Sequence, residues 1–515
     1  MPYGNGLLIL KSQYLGFIAF MFGAIVFIPF IYNGIKKFYA TGLLNIVQKR
    51  AFLNISVLTG VALLIGNLII VINQKESRPE GPNVVFIVID ALRADHLSSY
   101  GYNRLSSPNI DKLSIDGIRF TNAISQGNRT SLSMPSMLTG LYTSDHGYNM
   151  LQKIESRIVP LSARFASIGE VLRNAGYITY AASCQPWISP ESGYGQGFDY
   201  FEMVSSLGDN LSDEKTVKKA LDWLDDNRDE KFFIFLDLMG PHTPYDPPKP
   251  YKSLYSSGHE VRSKLISDLN DLYFKEKYGE YYKLLLNTSK ENISTEDLKQ
   301  LIELYDAKIA FTDQQIGSLI EKLKSLNIYD NTLIILTADH GEAFLDHDKF
   351  LHGRSVYNEE VHVPLIMTCL DRLPKNKEID DIVELVDILP TIASISGIPI
   401  SEIKMRGNPL FPIKGNSYDS DQFAYTEGSG HIKYMTNQWS IICEIGSGEC
   451  ELYDLESDPG ETYNLSGMKP DIVTNLKNKL FDIIDEKMYP SFQEAKTIRI
   501  PEKTKKTLKS LGYLQ

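Results

Sequence analysis

Runs of consecutive apolar, mostly β-branched residues constrain the fold of this chain more than any other feature. Residues 84–89 read VVFIVI, and similar runs occupy residues 232–236 and 333–336. A strand that is buried on both faces has this pattern, whereas a strand with one solvated face alternates. Helical spacing separates the runs, notably over residues 295–326. Strands that alternate with helices predict an α/β fold with a mainly parallel sheet flanked by helices.

Acidic and histidine side chains stand at the ends of two of these runs. Asp90 follows the first run, and Asp339 and His340 follow the last one in the stretch TADHGE. Ligands of parallel sheets bind beyond the carboxyl ends of the strands, and two carboxylates with an imidazole suit a hard to borderline metal ion. Each aspartate taken singly also fits a helix N-cap. Together they favour a metal site.

Five stretches, in the same order along the chain, resemble successive motifs of the sulfatase family in the alkaline phosphatase superfamily. They occupy residues 83–123, 128–140 (NRTSLSMPSMLTG), 337–342 (TADHGE), 352–366 and 452–465. The resemblance implies an alkaline-phosphatase-like sheet followed by a small C-terminal antiparallel sheet. We expect an N-terminal membrane anchor at residues 1–80, a sulfatase-like catalytic domain at 81–415, and the small sheet with a helical tail at 416–515. Alternation over residues 420–465 independently indicates that antiparallel sheet.

The segment at residues 128–140 contains the expected nucleophile. Counting back from Gly140 by the family's spacing gives Thr130. A rival register uses Ser133, because SMPS resembles the start of the formylglycine motif, but Met137 then stands where that motif has Arg. We favour Thr130. Since Pro135 is best tolerated in a first helical turn, we expect a helix to begin near Ser133, with Thr130 just ahead of an anion-binding N-terminus. An ordinary cap without catalysis is the alternative.

A threonine nucleophile changes the chemistry that the family resemblance implies. Sulfatases oxidise Cys or Ser to formylglycine, whereas Thr would give a ketone, so we do not expect formylglycine. A Thr alkoxide suits phosphoryl transfer through a phosphothreonine, as in the nucleotide phosphodiesterases and lipoteichoic-acid synthases that this pattern resembles.

By the same resemblance, Asp90, Asp339 and His340 are metal ligands, with Thr130 as the fourth group. Many sulfatases have two consecutive aspartates at the first position, but here the second is Ala91. This loss weakens the case for calcium and suits manganese, magnesium or zinc. We expect one divalent metal (Mn, Mg, Zn or Ca) and leave a second open, because no Asp-x-x-x-His ligand pair is clear.

Further site residues come from matching motifs. His242 (GPHTPYDPP) and His352 (LHGRS) match family histidines near the transferred group, where each could protonate the leaving oxygen or stabilise phosphoryl charge. Arg354 and Asn128 are candidate substrate contacts. Arg93 and His347 are weaker candidates. Residues 254–291 form an expected helical insertion that either covers the site or lies as a solvated surface helix.

Two uncharged apolar runs, residues 14–32 and 55–72, are each close to the roughly 20 residues that cross a bilayer as a helix. Lysines and arginines concentrate between them at Lys36, Lys37, Lys49 and Arg50. The positive-inside rule makes that loop cytoplasmic, so we expect a multi-pass cell-membrane protein that contacts lipid through these helices and whose catalytic domain faces outside. A cleaved signal peptide is the alternative for the first run.

The net charge and the cysteine content indicate which partners the protein can bind and which redox compartment suits it. The net charge is −12 and Lys and Arg form no long run, which argues against nucleic acid as a partner. Cys443 and Cys450 flank a predicted hairpin turn and could oxidise in an outward-facing domain. Two free thiols remain the alternative. Cys184 and Cys369 lie in apolar contexts and fit the core.

The sequence therefore predicts an outward-facing, metal-dependent hydrolase or transferase that acts on phosphate esters (phosphodiesters), or else sulfate esters, through Thr130. A lipid-linked or surface glycan substrate is a hypothesis motivated by the anchor. The first alternative is a sulfatase proper that uses Ser133. The second is a non-catalytic pseudoenzyme that binds glycans.

Overall fold

The computed structural model describes residues 79–147, 157–158, 160–204, 209–255, 264–275, 277–411, 422–485 and 498–499. The two predicted membrane spans, residues 14–32 and 55–72, lie outside these ranges. Across the described ranges, no helix is both long enough and apolar enough to cross a bilayer.

Strands and helices alternate along the described chain. The strands are β1 (Asn83–Ile89), β2 (Ile118–Ile124), β3 (Arg157–Ile158), β4 (Ile178–Ser183), β5 (Tyr200–Met203), β6 (Phe232–Leu238), β7 (Thr332–Ala338), β8 (Ala343–Phe344), β9 (Phe350–Leu351), β10 (His362–Thr368), β11 (Lys377–Glu384), β12 (Ala424–Gly428), β13 (His431–Met435), β14 (Trp439–Glu444), β15 (Cys450–Asp454) and β16 (Ile498–Arg499). The helices are α1 (Pro108–Asp116), α2 (Thr130–Thr139), α3 (Thr143–His146), α4 (Ile168–Asn174), α5 (Ser212–Asn227), α6 (Lys264–Phe274), α7 (Tyr278–Leu286), α8 (Thr295–Ser325), α9 (Asn358–Val361), α10 (Ile388–Ile395) and α11 (Pro470–Asp485).

An eight-stranded sheet in the order β11-β2-β10-β7-β1-β6-β4-β5 forms the centre of the fold. β1 pairs in parallel with β6 and β7, and β4 pairs in parallel with β6 and β5. Only β10 runs against its two neighbours in this sheet, β2 and β7. The predicted α/β fold with a mainly parallel sheet is therefore confirmed.

The three predicted strand runs form the middle of this sheet. Every residue of β1, β6 and β7 is buried, as expected for strands covered on both faces. Because these strands are parallel, their carboxyl ends meet at one edge. The loops that leave this edge carry Asp90, His242 and Asp339.

Helix α2 differs from the prediction at its start. It begins at Thr130 with Arg129 as the N-cap residue, so Thr130 is inside the first turn and Pro135 lies within the helix. The expectation of a start near Ser133 was wrong because the Arg129 carbonyl already accepts the backbone N–H groups of Leu132 and Ser133. Pro135 removes one backbone donor and crowds the carbonyl four residues before it, a cost that this fully buried helix tolerates.

A small antiparallel sheet follows in the order β12-β13-β14-β15, which confirms the predicted C-terminal sheet. Cys443 on β14 lies opposite Cys450 on β15, and the two form a disulfide. Cys184 and Cys369 are buried free thiols. The predicted boundary between residues 415 and 416 falls outside the described residues.

A buried ion pair joins β13 to the loop after β15, and its lysine also contacts the start of α9. Lys433 of β13 and Glu461 are both fully buried, and the Lys433 Nζ lies 2.7 Å from the Glu461 Oε1. The Lys433 Nζ also donates to the Asn358 Oδ1 at 2.8 Å. The charges are thus removed from water and compensated by direct partners.

The predicted insertion contains helices α6 and α7. Tyr282 on α7 donates its hydroxyl to the Thr243 carbonyl at 3.4 Å, and the Thr243 hydroxyl donates to the Tyr281 hydroxyl at 3.4 Å. Helix α7 therefore packs against the loop that carries His242.

Candidate active site

Asp90, Asp339 and His340 converge at the carboxyl edge of the sheet. All three are fully buried, and one ligand atom from each lies within 4.8 Å of the others. The His340 Nε2 lies 3.4 Å from the Asp90 Oδ1 and 3.5 Å from the Asp339 Oδ2. The structure thus brings together the three predicted metal ligands.

The imidazole of His340 directs its Nε2 toward both carboxylates. Its Nδ1–H donates to the Gly341 carbonyl at 2.8 Å, which leaves the lone pair on the Nε2, the atom that faces both carboxylates. Burial lowers the pKa of His340 to about 4. The ring is therefore neutral near pH 7, as metal coordination requires.

The carboxylates of Asp90 and Asp339 each direct one oxygen toward the His340 Nε2, and the other oxygen of each accepts hydrogen bonds. The Asp90 Oδ2 accepts from the Gln185 Nε2 at 2.6 Å, and the Asp339 Oδ1 accepts from the backbone N–H of His340 at 2.9 Å and of Ala91 at 3.3 Å. The Asp90 Oδ1 and Asp339 Oδ2 are buried without a hydrogen-bond partner. Burial and the nearby Asp339 charge raise the pKa of Asp90 well above its ordinary value. Two such buried oxygens beside a neutral imidazole fit a divalent cation.

The backbone after Asp90 is held in an unusual conformation. Ala91 has a φ of 61°, a left-handed geometry that is uncommon for a residue with a Cβ. The Tyr305 hydroxyl on α8 donates to the Ala91 carbonyl at 2.7 Å and accepts the Arg93 backbone N–H at 2.9 Å. Tyr305 therefore fixes the turn that aims the Ala91 N–H at Asp339.

Thr130 lies against the cluster of Asp90, Asp339 and His340. Its Oγ1 is 3.4 Å from the His340 Nε2, and the residue is 1% exposed at the N-terminus of α2. Ser133, the rival nucleophile, donates its hydroxyl to the Arg129 carbonyl at 3.1 Å. The Ser133 hydroxyl thus bonds to its own helix backbone.

His242 and His352 stand beside this cluster. The His352 ring centroid lies 4.3 Å from that of His340 and 4.9 Å from that of His242. The His242 Nδ1–H donates to the Thr243 carbonyl at 2.5 Å, so its Nε2 carries a lone pair when the ring is neutral. Burial and the neighbouring His352 hold the pKa of His242 well below its ordinary value.

Glu342 distinguishes the two histidines. Its Oε1 lies 2.9 Å from the His352 Nδ1. Burial alone would lower the pKa of His352, but the Glu342 carboxylate outweighs burial and raises it above its ordinary value. Of the two rings, His352 is therefore the more readily protonated, because its pKa is raised whereas that of His242 is lowered.

The loop after β6 is fixed from α8. The Lys308 Nζ donates to the carbonyl oxygens of His242, at 2.5 Å, and Pro244, at 3.2 Å. Because Lys308 donates to the carbonyl on each side of Thr243, it fixes the main chain of the loop that carries His242 beside His352.

The remaining sequence candidates have varied surroundings. The buried Asn128 amide donates to the Ser355 carbonyl at 2.5 Å and the Ser429 hydroxyl at 2.9 Å, so it also ties two loops together. Arg354 is exposed, one residue beyond the loop glycine that follows His352. Their contacts with substrate stay predictions.

The two weaker candidates make structural contacts. Arg93 forms ion pairs with Asp95 and Asp346. His347 lies 2.8 Å from the Glu359 Oε1, and its ring stacks on Tyr357.

Three residues of the site were not identified as site residues from the sequence. Gln185 follows β4, Glu342 ends the stretch TADHGE, and Lys308 lies in the middle of α8. The first two follow strands that end at the same sheet edge, so a search of every strand end would have found them. Lys308 has no local signal, because its partners are 64 and 66 residues away.

Known proteins resemble this chain over most of its length. Bovine "Arylsulfatase K" is 25% identical over 454 residues, which are 79% of this chain and 82% of that protein. "Arylsulfatase" of Clostridium perfringens is 26% identical over 443 residues, or 75% of this chain and 90% of that protein.

Solved structures share the fold. A protein solved with its substrate D-glucosamine-2-N,6-O-disulfate has a TM-score of 0.64 at 21% identity and covers 79% of this chain and 97% of its own. The phosphonate monoester hydrolase of Agrobacterium radiobacter has a TM-score of 0.62 at 19% identity, with 82% and 100% covered.

Family models agree with the motifs found in the sequence. The model described as "Sulfatase" matches residues 82–398, and the model described as "N-sulphoglucosamine sulphohydrolase, C-terminal" matches residues 346–486. The predicted family and enzyme class are confirmed. The chain belongs to the sulfatase family, ester hydrolases of the alkaline phosphatase superfamily.

Proposed function

We propose that this protein is a metal-dependent hydrolase or transferase that cleaves phosphate esters, phosphodiesters foremost, with the Thr130 hydroxyl as nucleophile. The observation that carries the proposal is the position of the Thr130 Oγ1, 3.4 Å from the Nε2 of the ligand histidine His340. The first-turn N–H groups of α2 and its dipole favour a negatively charged group at the same place.

The choice of phosphorus over sulfur follows from the side chain of threonine. Its Cβ carries a methyl group, so oxidation cannot give the aldehyde on which formylglycine chemistry depends. An unmodified alkoxide can attack phosphorus, and the resulting phosphothreonine can be cleaved by attack at phosphorus.

Asp90, Asp339, His340 and Thr130 would hold the metal ion. When bound, the ion would lower the pKa of the Thr130 hydroxyl, whose proton leaves to water, and offset charge on the phosphoryl oxygens. The buried oxygens of Asp90 and Asp339 that have no hydrogen-bond partner support this assignment.

His352 and His242 divide the proton transfers. In the first step the Thr130 oxygen bonds to phosphorus, the bond to the leaving oxygen breaks, and His352 donates its proton to that oxygen. In the second step a water or an alcohol attacks phosphorus, His242 takes its proton at the Nε2, and the bond to the Thr130 oxygen breaks. The ring centroids of His242 and His352 are 4.9 Å apart. Transfer of a proton from His242 to His352 returns both histidines to their starting protonation states.

Glu342 and Lys308 support this division. The Glu342 carboxylate beside the His352 Nδ1 stabilises the imidazolium form, which is the proton donor. Lys308 holds the His242 loop. Arg354, exposed on the loop after His352, is a proposed contact for a charged part of the substrate beyond the reacting phosphate, and Asn128 is a second proposed contact.

We further propose that the catalytic region faces the outside of the cell membrane and acts on a lipid-linked or surface glycan. The two apolar runs near the N-terminus support the anchor. The disulfide between Cys443 and Cys450 supports an oxidising compartment.

Sulfate ester hydrolysis is the second candidate. The names of the curated relatives favour it, since both are arylsulfatases, and a structural neighbour was solved with a disulfated glucosamine. In this case Ser133, or an unmodified hydroxyl, would be the nucleophile.

The test compares three classes of substrate on the purified full-length protein. Aryl phosphodiester, phosphomonoester and sulfate substrates are assayed with Mn²⁺, Mg²⁺, Zn²⁺ or Ca²⁺, using wild type, Thr130→Ala and Ser133→Ala. Loss of the nucleophile is expected to lower phosphodiester turnover by at least about 10³-fold in Thr130→Ala, whereas Ser133→Ala stays within about tenfold of wild type. Acid-quenched wild type should carry phosphate on the peptide around Thr130 in mass spectra.

Each other outcome selects an alternative. Phosphodiesterase activity retained in Thr130→Ala refutes the mechanism. Sulfatase activity that is lost only in Ser133→Ala establishes the rival register. Absence of activity together with absence of metal binding favours a glycan-binding pseudoenzyme.

A further inference from the structure

Gln185 makes one hydrogen bond that bears directly on the metal centre. The residue is fully buried in the loop after β4, and its Nε2 donates to the Asp90 Oδ2 at 2.6 Å. The Asp90 Oδ1, the oxygen that faces His340, has no hydrogen-bond partner. The Asp90 Oδ2 is thereby occupied by a hydrogen bond within the protein, and the Asp90 Oδ1 is available to bind a cation.

The main chain holds Gln185 in this position. Its backbone N–H donates to the Ser183 hydroxyl at 3.1 Å, and that hydroxyl donates to the Asp237 Oδ2 at 2.6 Å. Ser183 and Asp237 lie on the adjacent strands β4 and β6 in register. The main chain of Gln185 is therefore fixed relative to the sheet, and its fully buried side chain donates its amide N–H to the Asp90 Oδ2, which restrains the rotation of that carboxylate.

Hydrogen bonds also occupy one carboxylate oxygen of Asp339. Its Oδ1 accepts the backbone N–H groups of His340 and Ala91, and its Oδ2 is left without a partner. Both aspartates thus present single oxygens, beside one imidazole nitrogen and one hydroxyl.

We propose that Gln185 is a positioning residue that restricts Asp90 to one metal-binding oxygen and thereby makes the centre select a small divalent ion such as Mn²⁺ over Ca²⁺. Calcium takes six to eight oxygen ligands and often uses both oxygens of a carboxylate, whereas smaller ions accept fewer ligands and tolerate imidazole. The inference rests on the metal centre of the proposed function.

The experiment measures metal binding without catalysis. Full-length protein is stripped with chelator, and Mn²⁺ binding is followed by the electron paramagnetic resonance signal of free Mn²⁺, with Ca²⁺ affinity obtained by competition. The variants are Gln185→Leu and Gln185→Met, which remove the donor. Methionine keeps the length of the side chain, so Gln185→Met decides the question if the leucine variant fails to fold. Gln196→Leu is the control, because its Nε2 donates to the Leu161 carbonyl.

Loss of an outer hydrogen bond to a ligand is expected to raise the Kd for Mn²⁺ by about 10- to 100-fold. The preference for Mn²⁺ over Ca²⁺ should fall by at least about fivefold, since Asp90 can then rotate and offer both oxygens. General destabilisation of the protein would lower the affinities for Mn²⁺ and Ca²⁺ equally and leave their ratio unchanged. Gln196→Leu should stay within about twofold of wild type in both quantities.

Three results would overturn the inference: a Kd and ratio within about twofold of wild type in both Gln185 variants, equal weakening of both ions, or a wild type that prefers Ca²⁺. These results leave the metal centre itself intact. Wild-type protein that binds none of the ions would instead refute the metal centre of the proposed function.

Discussion

Replacing Lys433 by methionine should destabilise the small sheet locally, because it leaves the Glu461 carboxylate buried without its cation. Both side chains are fully buried, and the Lys433 Nζ donates to the Glu461 Oε1 at 2.7 Å and to the Asn358 Oδ1 at 2.8 Å. Two hydrogen bonds of a charged donor contribute about 1.5–3 kcal/mol each. Methionine fills most of the vacated space, so the cavity term is small.

The expected cost is therefore about 4 kcal/mol, within the range of about 3–5 kcal/mol for breaking a buried ion pair. Glu461 retains two donors, the Ser440 hydroxyl at 2.6 Å and the Asn358 backbone N–H at 2.8 Å. These bonds cannot neutralise the carboxylate. Glu461→Gln in the Lys433→Met background removes the charge and should recover at least about 1.5 kcal/mol.

Amide hydrogen exchange read by mass spectrometry measures this quantity locally. Since about 1.4 kcal/mol corresponds to a factor of ten, protection of β13 and β14 should fall roughly 10³-fold in Lys433→Met. Lys299→Met is the matched control, because the Lys299 side chain is 51% exposed and lies 4.0 Å from Glu303, where a pair contributes about 0–1 kcal/mol. A loss of protection below tenfold, or a double variant as unprotected as the single one, would refute the reasoning.

Three further predictions follow from other contacts. Cys443→Ser should cost about 2.5 kcal/mol of unfolding free energy through the lost constraint on a short loop, seen as a lower urea midpoint that reductant no longer shifts; an unshifted midpoint would contradict it. Burial and the nearby Asp387 raise the pKa of Glu384 from 4.5 to about 8, so the folded state retains a proton that the unfolded chain has released in this window, and stability falls as the pH rises through it. Glu384→Gln should flatten this dependence, with a higher Tm than wild type at about pH 8 but not at about pH 5; parallel Tm profiles would contradict it. Tyr305→Phe removes both hydrogen bonds that hold the turn at Ala91 and should weaken Mn²⁺ binding by about tenfold, and an unchanged Kd in the same titration would show that the turn holds without them.

The central strands and the metal ligands could be predicted because their signals are local. A run such as VVFIVI specifies a strand buried on both faces, and the strand end carries Asp90 whatever the rest of the chain does. The carboxyl ends of parallel strands share an edge, so Asp339 and His340 could be placed with Asp90 before any contact was known.

The surrounding contacts could not be predicted, because they depend on register between distant segments. A search of strand ends would place Gln185 at the same edge of the sheet as Asp90, but its hydrogen bond to a carboxylate 95 residues away is not marked by any neighbouring residue. The start of α2 was wrong for a different reason. Proline is most common in a first helical turn, which predicted a later start. The backbone N–H groups of Leu132 and Ser133 instead donate to the Arg129 carbonyl, and these hydrogen bonds outweigh the proline preference.

The left-handed backbone at Ala91 bears on how this site can evolve. Aspartate and asparagine adopt that region more readily than other residues with a Cβ, so the φ of 61° at Ala91 would suit an aspartate better than it suits alanine. Many sulfatases have an aspartate at this position of the motif, and one nucleotide change converts the alanine codons GCU and GCC into aspartate codons. The left-handed backbone at residue 91 is therefore compatible with either side chain, and Ala91→Asp would place a second carboxylate next to Asp90 without a change in φ.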